Sequence, residues 1–226
     1  MDDGLLRASE LHVRLGGRAV LHDVNLVLSR GELLGVQGRS GSGKTTLLHC
    51  LAGLVSPESG RVVLDGKRID QLNDRQRCRT RLRSFGFVFQ FGDLIPELDV
   101  GENVGLPLRL LGHHKHAANA AASELLDRLG IGHLTRRQLS EVSGGELQRA
   151  AIARAVVHGP QVIFADEPTG ALDGDTADEV LELLIEVARA EGTSVVLVTH
   201  DQEVAAVCDR IVRVRAGALH DVVRAE

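Results

Sequence analysis

Lys44 and Thr45 close the stretch GRSGSGKT, Gly38–Thr45, in which two glycines, a lysine and a hydroxyl fall at the spacing G-x-x-x-x-G-K-[S/T]. Each residue type has a reason to stand where it does. Glycine lets the backbone curl until consecutive N–H groups, here those of Ser40 to Thr46, point at one anion. The Lys44 ammonium would reach the β- and γ-phosphates of a nucleotide, and the Thr45 hydroxyl would ligate Mg²⁺. Gly38, Arg39, Ser40, Gly41, Ser42, Gly43, Lys44, Thr45 and Thr46 are therefore the candidate nucleotide-binding residues. VIFADE, 162–167, ends an apolar run in two acids. Asp166 is suited to holding Mg²⁺ and Glu167 to acting as the base that polarises an attacking water. His200 ends VVLVTH, where its imidazole would face the γ-phosphate, and Gln90 ends FGFVFQ, where an amide would sense Mg²⁺ and water.

A second anion site lies far along the chain. In SEVSGGELQRAAIARA, 140–155, Ser143, Gly144 and Gly145 precede the helix-forming Leu147, Ala150, Ala151, Ala153 and Ala155. A helix with a bare first turn exposes its N–H groups and the positive end of its dipole. One chain thus holds two elements for phosphate.

Strands and helices must position these residues. Leu11–Leu15, Val20–Leu28 and Leu33–Val36 read as strands, with Gly16-Gly17 as a turn, and RVVLDGKRI, 61–69, as a strand and an Asp-Gly turn. From Phe91 to about Val157 helical periodicity takes over, as in Ala120, Ala121, Glu124, Leu125 and Leu129 before a stop at Gly130. QVIFADE and SVVLVTH are continuous apolar runs, the pattern of parallel strands buried on both faces. The amphipathic helix TADEVLELLIEVARAEG between them completes a β–α–β crossover. Asp166, Glu167 and His200 then fall at the carboxyl ends of buried strands, where ligands bind in such sheets. The expected fold is α/β, a core interrupted by a helical lobe.

With 226 residues and 43% hydrophobic content, one domain with a sizeable core is available. A net charge of −5 argues against a surface that binds nucleic acid. No apolar run approaches the roughly 18–20 residues that cross a membrane. MDDGLLRASE is acidic where a signal peptide is basic, so a cytosolic chain is expected. Cys50, Cys78 and Cys208 are isolated and odd in number, which suggests neither a disulfide framework nor a metal knuckle.

The ordered set Gly38–Thr45, Gln90, Ser143-Gly144-Gly145-Glu146, Asp166-Glu167, Asp173 and His200 resembles an ABC ATPase over nearly the whole chain, most specifically in VSGGELQRAAIARA. In that family these stretches are the Walker A loop, Q-loop, signature, Walker B, D-loop and H-loop. The resemblance implies a P-loop NTPase core with a parallel sheet, an N-terminal antiparallel β subdomain and an inserted α-helical subdomain. One ABC ATPase domain would span 1–226, with a RecA-like core at about 1–90 and 158–226 and the helical subdomain at about 91–157. It also accounts for the second phosphate element. Two copies bind head to tail, so Ser143, Gly144, Gly145 and Glu146 of one chain cap the ATP on its partner's loop, and Asp173 crosses the seam. The implied activity is hydrolysis of ATP with Mg²⁺ held by Thr45, Gln90 and Asp166 and with Glu167, His200 and Lys44 catalytic.

FGFVFQFGDLIPELDVGENVGLPLRLLG and ADEPTGALDGDT are similar to the branch that serves FtsX/MacB-type permeases in lipoprotein release and in macrolide, peptide and haem export. The expected partners are a second copy of the chain and a separate permease, since no stretch of this sequence reads as a membrane domain, and no C-terminal regulatory domain is expected after His200. The expected location is the cytoplasmic face of the membrane, with contact only through the permease. The other expectation is a soluble ABC ATPase acting without a permease. Phe91, Leu94 and Ile95, in an apolar cluster with Leu98 and Val100, fall where the family docks a permease coupling helix. DRQRCRTRLR sets five arginines at alternate positions, a solvated face or a contact for acidic permease residues or lipid headgroups. GHHKH, 112–116, reads as a solvated turn. One departure stands out. The chain has no Tyr or Trp, and Leu15 takes the place of the aromatic that stacks on adenine in many members, so weak selection for adenine is expected.

Overall fold

Gly16 and Gly17, at φ 54° and 80°, fold β1 (Leu6–Leu15) back on β2 (Arg18–Leu28), so that Leu15 pairs with Arg18. Positive φ at both central residues suits the twist of a tight hairpin, and glycine adopts it without a Cβ clash. This computed structural model describes residues 4–90 and 93–224. They divide into two compact units, one made of residues up to Arg81 together with those from Ser194, the other of Leu82–Thr193.

In the first unit the chain passes through β3 (Leu33–Gln37) and α1 (Lys44–Leu51) to β4 (Ser59–Leu64) and β5 (Lys67–Arg68). β4 pairs with β1 and, across the Asp65-Gly66 turn, with β5, giving an antiparallel sheet of order β2-β1-β4-β5. Leu6 and Ala8, then Leu11 and Val13, are buried at alternate positions of β1. A register shift between Ala8 and Leu11, with Glu10 at φ 51°, resets the phase between the two pairs.

The alternating arginines lie on a helix, α2 (Asp74–Ser84), none of whose residues is buried. Alternation has the period of a strand, so on a helix it scatters side chains around the axis. Arg77 donates to Asp74 and Ser56, and Arg81 to the Gly53 carbonyl at 2.9 Å. These two hold α2 against the loop after α1, while Arg75, Arg79 and Arg83 are exposed.

The second unit follows with β6 (Phe85–Phe89), α3 (Val100–Leu110), α4 (Lys115–Arg128), α5 (Gly144–Val156), β7 (Val162–Asp166) and α6 (Gly174–Ala190). β6 and β7 pair in parallel, from Phe85↔Val162 to Phe89↔Asp166. Phe164, fully buried, meets Phe85 edge-on at 5.1 Å and stacks with Phe87 at 5.8 Å. Gly86 has no room for a Cβ, because the Ala155 carbonyl of α5 lies against it. That close approach holds α5 on the strand pair.

The chain then returns to the first unit through β8 (Ser194–Val198), α7 (Gln202–Ala206), β9 (Arg210–Arg215) and β10 (Ala218–Arg224). β3 runs parallel to both β8 and β9, and β10 turns back antiparallel to β9. Every residue of β8 is buried, as its unbroken apolar run requires. The fold is α/β, and among the described residues no helix is long and apolar enough to cross a membrane.

Candidate active site

Each unit carries its own set of candidate residues. In the first, β3 delivers the chain into the loop that begins at Gly38, where a Cβ would lie 2.5 Å from the Val214 carbonyl and 2.6 Å from Ser42 Oγ. Only glycine fits. Gly41 (φ 74°) and Gly43 (φ 108°) supply the left-handed turns that end in the first residue of α1. No side chain caps α1, so its first N–H groups face the loop unclaimed by a cap. The Lys44 side chain is buried within this curl, and its Nζ donates to Gly38 O at 2.9 Å and Arg39 O at 3.4 Å. Ser42 Oγ is buried with no hydrogen-bond partner, an orphaned polar atom inside this loop. A cradle of this kind suits an oxyanion. Thr45 is exposed in the first turn of α1.

His200 stands two residues past the end of buried β8 and is itself exposed. Thr199 Oγ1 accepts from Asp201 N at 3.0 Å, and Gln37 Nε2 donates to Asp201 O at 3.3 Å, so the turn carrying His200 is tied on both sides. Leu15, the last residue of β1, is 43% exposed at the hairpin tip, an apolar side chain open to solvent.

In the second unit, Gln90 follows β6, Asp166 ends β7 and Glu167 follows it, all three half-buried. Because Phe89 pairs with Asp166, the amide and the two acids leave the same edge of neighbouring strands. Glu167 stands at φ 51°, a conformation costly for a residue with a Cβ and frequent at functional sites. The Gly170 N–H donates to Glu167 O at 3.0 Å, and a Cβ on Gly170 would lie 3.0 Å from Gln90 Nε2. Sequence reasoning missed Gln148, which is 3% exposed and donates to Phe89 O at 2.8 Å and Pro168 O at 2.6 Å. Its only sequence signal is a polar residue inside the apolar face of α5.

At the start of α5, Glu146 reaches back to accept from Ser143 N at 2.9 Å and from Ser143 Oγ at 2.6 Å. Those two bonds, the hydroxyl first, hold its carboxyl below the usual carboxylate range. A cleft of about 540 Å³ opens over Ser143, Gly144 and Gly145, with Leu172 and Asp173 on its rim. Gly145 has a packing reason for its size: a Cβ there would lie 2.5 Å from Thr176 Cγ2. Asp173 caps α6 through Thr176 N at 3.2 Å, and its hydrogen bonds with Thr176 lower its pKa.

Of the coupling candidates, Phe91 lies outside the described residues. Leu94 is half-buried and Ile95 is 38% exposed. Asn103, fully buried, accepts from Ile95 N at 2.7 Å and donates to Ile95 O at 3.0 Å, holding this loop by its backbone. Val100 is fully buried and is a core residue of the helical part, whereas Ile95 is open to solvent.

A parallel-sheet α/β fold with a glycine-rich loop opening a helix, and strand-end acids, defines a P-loop nucleotide hydrolase. The family model "ABC transporter" matches residues 21–170, and the chain belongs to that family. It is an ABC ATPase subunit that binds ATP. It is 46% identical over 200 residues to the lipoprotein-releasing system ATP-binding protein LolD of Shewanella denitrificans, covering 88% of this chain and 86% of that one. LolD 2 of Caulobacter vibrioides is 44% identical over 204 residues, covering 90% of each. Among solved structures, the dimeric post-hydrolysis state of the ATP-binding cassette MJ0796 bound to ADP and Pi matches with a TM-score of 0.88 at 33% identity, covering 98% of this chain and 99% of that chain. CbiO1 from Clostridium perfringens, part of the ABC transporter complex cbiONQ, matches at 0.89 with 29% identity, covering 99% and 89%.

Proposed function

We propose that two copies of this chain close head to tail on two ATP molecules and drive a separate permease of the FtsX/MacB type from the cytoplasmic face of the membrane. The observation that carries the dimer is the pair of phosphate-binding elements on one chain, the uncapped start of α1 and the open cleft at Ser143–Gly145. Support for the permease class comes from the LolD relatives, whose name places them in lipoprotein release, and from the chain's own FGFVFQFGDLIPELDVGENVGLPLRLLG. In this reading the helical subdomain is the segment at about 91–157 and the RecA-like core is about 1–90 and 158–226.

In the mechanism, the N–H groups of Ser40 to Thr46 bind the phosphates, and Lys44 exchanges its carbonyl partners for phosphate oxygens. The Thr45 hydroxyl, Gln90 amide oxygen and Asp166 carboxylate are hard oxygen donors suited to Mg²⁺, which neutralises charge on the β- and γ-phosphates when bound. Glu167 orients the attacking water and takes its proton, while His200 donates towards the γ-phosphate. Ser143 turns its hydroxyl from Glu146 to the partner's γ-phosphate, flanked by Gly144 and Gly145, and Asp173 borders the seam. Leu15 gives the base an apolar contact without a stacking ring.

Glu167→Gln tests the catalytic assignment. Loss of a positioned base costs about 10²–10⁴ in rate, so turnover should nearly vanish while ATP binding stays. Light scattering should find that variant monomeric without ATP and dimeric with it. Turnover within tenfold of the parent would remove Glu167 from the role of base. Affinity purification from solubilised membranes should bring down a four-helix permease. Its consistent absence would favour a soluble ABC ATPase that works without one.

A further inference from the structure

We propose that Gln148 is a positioning residue for hydrolysis, tying the helix that bears Ser143–Glu146 to the backbone on which Gln90 and Glu167 stand. The side chain is 3% exposed, and one nitrogen serves two carbonyls, Phe89 O at 2.8 Å and Pro168 O at 2.6 Å. Phe89 immediately precedes Gln90, and Pro168 immediately follows Glu167. The inference rests on the assignment of Glu167 as base.

The chemistry of the amide explains the choice of residue. A primary amide has two N–H donors in a fixed planar fork, so it bridges two acceptors. A hydroxyl has one proton to give and a carboxylate has none. Phe89↔Asp166 is the last pair of the β6–β7 ladder. Past that pair, the Gln148 fork links the two strand ends in place of a backbone bond. The link matters most at Glu167, whose φ of 51° persists only where neighbouring structure over-determines it. The Gly170 N–H on Glu167 O and the Gln148 amide on Pro168 O are two such restraints.

Gln148 lies one helical turn from the first residues of α5, which face the cleft at Ser143. A shift of α5 when Ser143 takes up the partner's phosphate therefore moves both strand ends through one rigid fork. Each chain then senses at its own water-polarising residues whether its signature is engaged. In this way the two composite sites of the dimer are linked through each subunit.

The test uses the full-length chain. Gln148→Met keeps length and bulk and removes both donors. ATP affinity and KM should stay within about threefold of the parent, while kcat falls about 10- to 100-fold, the loss expected of a misplaced catalytic group. In the Glu167→Gln background the same change should slow residual turnover by much less than in the parent, since one of the two groups it positions is already gone. Gln148→Lys offers its ammonium protons to both carbonyls and should recover part of the rate. A kcat within twofold of the parent in folded Gln148→Met protein, or an equal loss in both backgrounds, would overturn the proposal. If Gln148→Met does not fold, the parent protein decides through ¹⁵N NMR of its glutamine side chains. Both Gln148 amide protons should exchange at least tenfold more slowly than those of exposed Gln71 and Gln76. Equal exchange rates would overturn it. A Glu167→Gln variant at full activity would instead sink the base assignment, leaving the Gln148→Met rate as a separate result.

Discussion

His158, just beyond α5, shows how a residue outside the site sets the acid limit of its scaffold. Its Nε2 lies 3.1 Å from the Phe85 carbonyl at the start of β6, and its Nδ1 is buried without a partner. Burial pushes its pKa below 6.5, and the Phe85 carbonyl only partly opposes this. The neutral ring satisfies the carbonyl from Nε2–H, whereas the protonated ring would bury a second N–H with no acceptor. As pH falls through 6.5, the unfolded chain takes up this proton before the folded one does. The contribution to stability is thus full above that pH and is lost on the way down through the lowered native value. Melting temperature should begin to fall as pH drops below about 6.5 and go on falling towards the lowered native value, by about 2–4 °C for each kcal/mol lost. His158→Gln, which keeps a donor for Phe85, should flatten that slope. An unchanged slope by calorimetry would show that other groups carry the acid sensitivity.

At the scale of elements, α2 gives the sharpest contrast between what a run of residues suggests and what it does. Its five arginines divide into two that dock the helix, Arg77 and Arg81, and three exposed ones. Arg77→Ala and Arg81→Ala should each cost about 1 kcal/mol in urea unfolding, since each removes charge-assisted hydrogen bonds at a partly screened site. Arg75→Ala and Arg79→Ala should stay within about 0.5 kcal/mol. Equal costs at all four would mean that the helix is not docked by its arginines. The alternation hid this helix because its period belongs to a strand. Strands β3, β7 and β8 were legible, since burial on both faces demands unbroken apolar runs. The phosphate loop was legible because its glycines and lysine have few substitutes. Gln148 was not, since a buried polar residue is recognised only by its partners, which are distant in the chain. Gly145 carried a hidden constraint for the same reason, the Thr176 methyl of α6.

At the scale of the whole molecule, an ATPase that drives a separate permease needs a surface that transmits closure without taking part in hydrolysis. On the proposed function, Ile95 is the candidate for that surface. Its side chain is 38% exposed, while its backbone N–H and carbonyl are both held by fully buried Asn103. A substitution at Ile95 changes the surface and leaves the loop's backbone bonds in place, whereas the same change at fully buried Val100 would open the core. Ile95→Asp should therefore keep the basal ATPase rate of the isolated subunit within about twofold and its melting temperature within about 2 °C, the usual tolerance of surface positions. In proteoliposomes with the permease, stimulation of hydrolysis should disappear, because a carboxylate pressed into an apolar contact is buried unpaired. Asn103→Ala should lose both, since it releases the loop and leaves the Ile95 backbone groups unsatisfied. Full stimulation in Ile95→Asp would move the coupling surface away from this loop, and loss of basal activity in the soluble variant would make Ile95 part of the fold.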